Sequence, residues 1–444
     1  MQSVANSIAP SPGPRDRVQS SQDFTFGHPL PQEEGWGVRG QPQRSNAHAT
    51  LLMSLFRSLA FHSFLVLVTV CEAAVADEYR VIHTFKVADE PACMPALTQA
   101  PNGNLLVAFS TEWEPFPWGG ILKLVVSKDR GKTWSGPRTL WQDKDPRVTI
   151  QVANGMQTLH NGDVLLPVTY CVVPKRPGVS TDEVRPSRIY DPRLPGYRRE
   201  VRFLRSKDSG RNWSIEDPQL EKPWFRFGRL FETPDGRLIM PAEAAYFESR
   251  DHGRTWGRRI SISTAAFNET NVVQAANGTL FSLMRQDGEL GLRRMFGTSF
   301  SSDGGKSWSQ WRWSGVQGKM PDTLVLPSGR ILLGVGAEGL VDGSLVMKTK
   351  NRNSFCTLFL SDDHGQSWKR DMAFEPVSST SSVVPADSPV MWPLGNQVLV
   401  VLQGIDRSRS ADPLIGYRAG MSLIGNLIER VASNAIEGNA RQSN

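Results

Sequence analysis

The chain has 444 residues, of which 39% are hydrophobic and 21% charged, the composition of a folded globular protein with ample core. A net charge of +6 is too small to argue for nucleic acid, and 4 cysteines exclude a disulfide-built scaffold. What the composition does carry is 39 glycines and 13 tryptophans, the mark of a turn-rich, tryptophan-rich fold.

In chain order, residues 1–52 come first. They are rich in Pro, Gln, Ser and Gly, lack periodicity and cannot build a core, so they read as a leader ahead of a start at Met53. Residues 53–76 read as a signal peptide: Arg57, an apolar run from Leu59 to Val70, then Ala74-Val75-Ala76 as the cleavage site. The run is too short for a good membrane span. The expectation is an exported protein, periplasmic or extracellular, cleaved near Ala76 and left with no stable membrane span. Cys93, Cys171 and Cys356 then remain, an odd number that allows at most one disulfide.

Residues 77–405 contain a repeat. The pattern Ser-x-Asp-x-Gly-x-(Thr/Ser/Asn)-Trp begins at Ser127, Ser206, Ser249, Ser301 and Ser361. In each copy the Asp accepts hydrogen bonds from turn amides, the Gly takes a positive φ, and the Trp wedges into a neighbouring layer. Asp129, Asp208, Asp251, Asp303 and Asp363 therefore read as structural. A second repeat is an apolar hairpin, with turns at Asn102-Gly103, Asn161-Gly162, Asp235-Gly236, Asn277-Gly278, Ser328-Gly329 and Leu394-Gly395. Each unit is thus an inner hairpin (strands A and B), strand C, the box turn and strand D. The expected fold is all-β, a six-bladed propeller with box turns. The sixth blade lacks a box, and its outer strand is expected from Glu78–Val87. Residues 406–444 are expected to close that blade in part, with Met421–Ala432 as a short helix.

The topology puts every A–B and C–D turn on one face. The starts of A, the ends of B and the starts of C converge on the other, where a rigid scaffold presents functional side chains. Blade 1 offers Glu112 and Glu114 there. Blade 3 offers Arg226, Arg229 and Glu243, blade 4 Glu269 and Arg285, blade 5 Asp322 and Arg352, and blade 6 Asp387. Blade 2 carries an insertion whose segment 171–205 holds nine Lys/Arg against four Asp/Glu, hence +5 of the net +6. It reads as a solvated loop or as a basic lid over an anionic ligand.

The five boxes and six hairpins, over about residues 78–405, resemble the sialidase (neuraminidase) superfamily. Phe267-Asn268-Glu269 followed by Arg285 resembles the family's Glu that supports the nucleophile and its second carboxylate-binding Arg. Asn351-Arg352 resembles the third Arg of that triad. The departures are equally specific. Cys93-Met94-Pro95 stands where the first triad Arg is expected, Ala386-Asp387-Ser388-Pro389 holds no nucleophilic Tyr, and the acid/base Asp after blade 1's B strand is absent. The resemblance implies a sialidase-like glycoside hydrolase acting on a carboxylated or otherwise anionic sugar. Glu269, Glu112, Glu114 and Glu243 are the catalytic candidates, and Arg285, Arg352, Arg226, Arg229, Asp322 and Asp387 the substrate-binding ones. Tyr190 or Tyr197 of the insertion stands in reserve as nucleophile. The alternative is a carbohydrate-binding propeller without catalysis. The partner is a glycan or small anionic sugar, not nucleic acid. No zinc spacing, EF-hand or phosphate loop calls for a metal or cofactor.

Overall fold

In a computed structural model, the described residues are 78–89, 91–111, 121–152, 155–180, 189, 191, 193–220, 228–286, 295–340, 356–374, 383–406 and 421–431. The chain divides into Met1–Ala74 and Val75–Asn444, and all described residues belong to the second unit. The expected leader and signal peptide, Glu112, Glu114, Tyr190, Arg226 and Arg352 lie outside the described residues. Among those residues no helix is long and apolar enough to cross a membrane.

Every element with described bounds is a strand, and every pairing is antiparallel. β1 (Tyr79–Ala88) opens the fold. β2 (Cys93–Gln99), β3 (Leu105–Ser110), β4 (Ile121–Ser127) and β5 (Arg138–Gln142) make one sheet in that order. In the next, β6 (Val148–Val152) and β7 (Gln157–Thr158) pair successive parts of β8 (Val164–Val172), followed by β9 (Arg198–Ser206) and β10 (Ser214–Glu216). β11 (Phe231–Glu232), β12 (Leu238–Ala242), β13 (Ala245–Ser249) and β14 (Ile260–Ser261) make a third. The fourth runs through seven strands: β15 (Phe267–Gln274), β16 (Leu280–Gln286), β17 (Met295–Ser301), β18 (Arg312–Val325), β19 (Ile331–Leu340), β20 (Cys356–Ser361) and β21 (Lys369–Phe374). The last holds β22 (Val383–Leu394), β23 (Gln397–Asp406) and β24 (Met421–Arg430), with β1 on its outer edge.

Two expectations are corrected. The units expected as blades 4 and 5 lie in one sheet. The 14-residue β18 pairs β17 with its first half and β19 with its second, serving as outer strand of one unit and inner strand of the next. Met421–Ala432 is not a helix but, over Met421–Arg430, a strand between β1 and β23. Leu423, Ile424, Leu427 and Ile428 have helical spacing, yet two neighbours with open edges offer ten residues of pairing and bury both faces. Gly425 is needed there, because a Cβ would meet the Phe85 ring at 2.2 Å.

The N-terminal strand is held by charge as well as by its ladder. The amides of Glu78 and Tyr79 donate to Asp371 at 2.5 and 3.1 Å, while Arg330 binds both Glu78 and Asp362. Burial opposes ionisation of Glu78, but hydrogen bonds from Arg330 and Lys369 hold its carboxyl below the usual range.

The core lies between successive sheets. One cluster joins β2–β4 to β6–β8, others join the second sheet to the third, the third to the fourth and the fourth to the last, one lies within the seven-stranded sheet, and one joins β2 and β3 to β22 and β23. All three described cysteines are buried and outside any disulfide. The box turns tie these layers together. In the first, Ser127 donates to Asp129 at 2.8 Å and accepts from Gly131 N at 2.8 Å, while Asp129 accepts the Thr133 amide and hydroxyl at 2.9 and 2.5 Å. The other four boxes repeat this pattern. Each box glycine lies against a strand of the neighbouring sheet or unit. A Cβ on Gly210 would meet Leu106 at 2.7 Å, on Gly253 Leu165 at 2.8 Å, and on Gly305 the Tyr246 hydroxyl at 2.2 Å. The glycines thus serve both the left-handed turn and close approach between layers.

The Thr133 hydroxyl and amide bring Asp129 down to about 2, and the Asn212 amide does the same for Asp208. A carboxylate depressed from 3.8 stabilises the fold fully above that pH and loses the effect as pH falls through about 2. Asp129→Asn should therefore lower the melting temperature near neutrality. The gap from wild type should close between about pH 4 and pH 2 in melts across that range, and a gap that persists at pH 2 would contradict the box account.

Candidate functional site: a charged bulge among the inner strands

Four inner hairpins share one irregularity. In β2–β3, Cys93 pairs Ser110 and Ala96 pairs Ala108, so Met94 and Pro95 together face Phe109. In β18–β19, Met320 and Pro321 face Val335, and in β22–β23, Ser388 and Pro389 face Leu402. Each is a β-bulge, two residues opposite one, whose extra residue leaves the ladder. Met94, Met320 and Ser388 take left-handed φ values of 53°, 50° and 49°. Such backbone costs about 1–3 kcal/mol per residue and gathers at functional sites. Proline is well suited to the second place, having no N–H to leave unpaired.

The fourth bulge breaks the pattern. In β15–β16, Phe267 pairs Gln286 and Thr270 pairs Met284, so Asn268 and Glu269 face Arg285, one residue further from the turn than in β2–β3. Where its sisters have proline against an apolar side chain, this hairpin has a carboxylate against a guanidinium. Glu269 and Arg285 are only 4% and 8% exposed. Arg285 Nε lies 2.9 Å from Glu269 Oε2 and 3.1 Å from Asn268 Oδ1. The same Glu269 oxygen accepts the Met320 amide at 2.6 Å, which links this bulge to the next. Asn268 Oδ1 also accepts the Glu269 amide at 2.5 Å. The box is far away: Ser301 pairs Leu280, five residues before Arg285, hence about 17 Å along the strand.

Arg229 and Asp322, both expected to face substrate, are joined to each other instead. Arg229 Nε and Nη2 donate to the fully buried Asp322 carboxylate at 3.0 and 2.7 Å, and Nη2 also donates to the Met391 carbonyl at 2.5 Å. The Met391 amide donates back to Asp322 at 2.7 Å. Asn271 accepts the Arg229 amide and donates to the Pro321 carbonyl at 2.8 Å. One ion pair thereby binds the segment before β11 to β15, β18 and β22.

Glu243 sits with Ala244 in a two-residue turn between β12 and β13, at φ values of 33° and 55°. The Ala244 amide donates to Thr270 Oγ1 at 2.8 Å, which puts the Glu243 turn beside Glu269's strand. The Glu243 carboxylate lies 4.0 Å from Arg199 of the insertion. The described arginines of the basic segment are all paired in this way. Arg176 and Arg193 meet Asp191, Arg198 and Arg202 meet Glu200, and Arg205 meets Asp163 and Glu216. Tyr197 donates to Cys171 Sγ at 3.6 Å within a small core of the insertion, and burial there raises its hydroxyl well above the usual range. Asp387 occupies the residue before the β22 bulge.

Asn268, Asn271 and the Met320 amide were not picked out from the sequence. The available signal was Met-Pro placed with its proline eight residues before a turn glycine, as in Pro95 with Gly103 and Pro321 with Gly329.

A family model described as a BNR repeat-like domain matches residues 189–390, a span holding four of the five boxes. Over those residues the chain is similar to BNR-repeat proteins. Its all-β architecture matches propeller structures of that kind. A protein of unknown function from Dyadobacter fermentans DSM 18053 superposes with TM-score 0.60 at 18% identity, covering 80% of this chain and 100% of that one. A mutant of the NanB sialidase from Streptococcus pneumoniae gives TM-score 0.52 at 13% identity, covering 81% and 71%. The intramolecular trans-sialidase from Ruminococcus gnavus, solved in complex with oseltamivir carboxylate, gives 0.51 at 13%, covering 77% and 94%. No curated protein matches this chain in sequence.

Removing one member of the Arg229–Asp322 pair leaves a buried charge unanswered. Asp322→Asn should lower the unfolding free energy by about 3–5 kcal/mol in urea titrations. Arg229→Met combined with Asp322→Leu should recover much of that loss. A single-variant loss below about 1 kcal/mol would show that the pair does not tie these strands.

Proposed function

We propose that the protein is an exported glycoside hydrolase, built as a six-bladed propeller, that acts on a carboxylated or otherwise anionic sugar. The observation that carries this reading is the Glu269–Arg285 pair in the one bulge of the four without proline. A buried ion pair is a poor source of stability, because desolvation offsets most of its attraction. None of the three sister bulges has an ion pair across the bulge itself, between its two residues and the one they face, so a ligand explains this pair better than stability does. A planar guanidinium is suited above all to carboxylate. One protein of this fold, the Ruminococcus gnavus trans-sialidase, was solved with a carboxylate ligand.

In this reading Arg285 and Arg352 bind the acid group. Glu269, with two donors on one oxygen, orients Arg285 and the reacting centre. Proton transfer falls to Glu243, whose turn adjoins β15, or to Glu112 or Glu114. With no Tyr in Ala386–Pro389, a pair of carboxylates acting on the glycosidic bond is favoured over a tyrosine nucleophile. The six-blade count assigns β18 to two blades and the outer place of the last blade to β1. Export rests on Arg57, the apolar run and Ala74-Val75-Ala76.

The test is turnover of chromogenic sialosides and glucuronides against neutral glucosides and galactosides. Only the acidic substrates should be cleaved. Arg285→Ala, checked for folding by thermal melts, should lower kcat/KM on them by about 10–150-fold, the worth of a charge-assisted hydrogen bond. Equal turnover of neutral glycosides would overturn the anionic-sugar reading. Binding of the acids without turnover would identify a carbohydrate-binding propeller in place of a hydrolase.

A further inference from the structure

We propose that Asn268 is a positioning residue, whose side-chain oxygen sets the direction of Arg285 and so gives the site its preference for a carboxylate. The inference rests on the anionic-sugar reading of this rim.

A bulge takes its second residue's amide out of the ladder, and a buried amide without an acceptor is costly. Pro95, Pro321 and Pro389 avoid the problem by having no N–H. Glu269 has one, and Asn268 Oδ1 accepts it at 2.5 Å. Asn268 is therefore the condition under which a carboxylate can stand where the sister bulges have proline. It differs from them in conformation as well, for Met94, Met320 and Ser388 are left-handed and Asn268 is not.

Closing the bulge does not require an arginine, and the same oxygen does more. It accepts Arg285 Nε at 3.1 Å while Glu269 Oε2 lies 2.9 Å from that nitrogen. One N–H between two acceptors, both fixed by backbone, restricts rotation of the guanidinium plane in a way that one acceptor does not. The Asn268 carbonyl is anchored in turn. It accepts the Thr270 hydroxyl at 3.1 Å, and that hydroxyl accepts the Ala244 amide of the adjacent sheet. A planar ligand group such as a carboxylate depends on the plane of the guanidinium that meets it, and a neutral ester depends on it far less.

The experiment measures binding of N-acetylneuraminate and D-glucuronate, each beside its methyl ester, by calorimetry on the full chain. Wild type should prefer the acids. Asn268→Ala should weaken acid binding about tenfold and leave the esters unchanged. Because that change also orphans the Glu269 amide, Asn268→Ser provides the separation. A serine hydroxyl keeps a polar oxygen beside the neighbouring amide but is too short to reach Arg285. Asn268→Ser should melt near wild type and still lose the acid preference. Wild-type protein that binds acid and ester alike would overturn the anionic-sugar reading, and this inference with it. Wild type that prefers acids, with both variants keeping that preference, would overturn the role of Asn268 alone.

Discussion

A β-bulge in a buried hairpin leaves one backbone amide outside the ladder, and the chemistry at this rim follows from how that amide is satisfied. In three hairpins proline removes the donor, and the opposite residue is Phe109, Val335 or Leu402. In the fourth a side-chain amide accepts it, which frees the second place for Glu269 and the facing place for Arg285. A repeated architecture thus supplies its own control. What the hairpins share is attributable to the fold, and what one of them holds alone points to function.

The strain at these bulges is held by what surrounds them. Asp322 receives both arms of Arg229 and the Met391 amide, so the strands carrying two left-handed residues, Met320 and Ser388, are pinned by one buried carboxylate. At the other end of the strands the box glycines press against strands of the neighbouring sheet or unit, and turn amides hold the box aspartates ionised. The two ends divide the labour. One end fixes the spacing of the layers by close packing. The other tolerates buried charge because the layers cannot move apart to relieve it.

Much of this was legible in the sequence because it is local. The box pattern spans eight residues and the hairpin turns two, so their Ser, Asp, Gly and Trp could be read directly, and the edge strand from Glu78 follows from a last unit that lacks a box. Glu269 and Arg285 were legible because their spacing resembles a known pair. What was not legible depends on partners distant in the chain. Arg229 and Asp322 are 93 residues apart, and nothing local distinguishes a charge that meets substrate from one that meets its counter-charge. Leu423, Ile424, Leu427 and Ile428 fit a helical face as well as a strand, and only the open edges of β1 and β23 decide between them. The bulges are a matter of register, which is set by pairing and not by composition.

The central claim is that the charged bulge is where ligand binds. A crystal structure of the protein with N-acetylneuraminate bound tests it most directly. The account predicts the ligand carboxylate within hydrogen-bonding distance of the Arg285 guanidinium, with Arg285 still held by Glu269 and Asn268. A sugar bound elsewhere on the molecule, with Arg285 making no contact to it, would contradict the account.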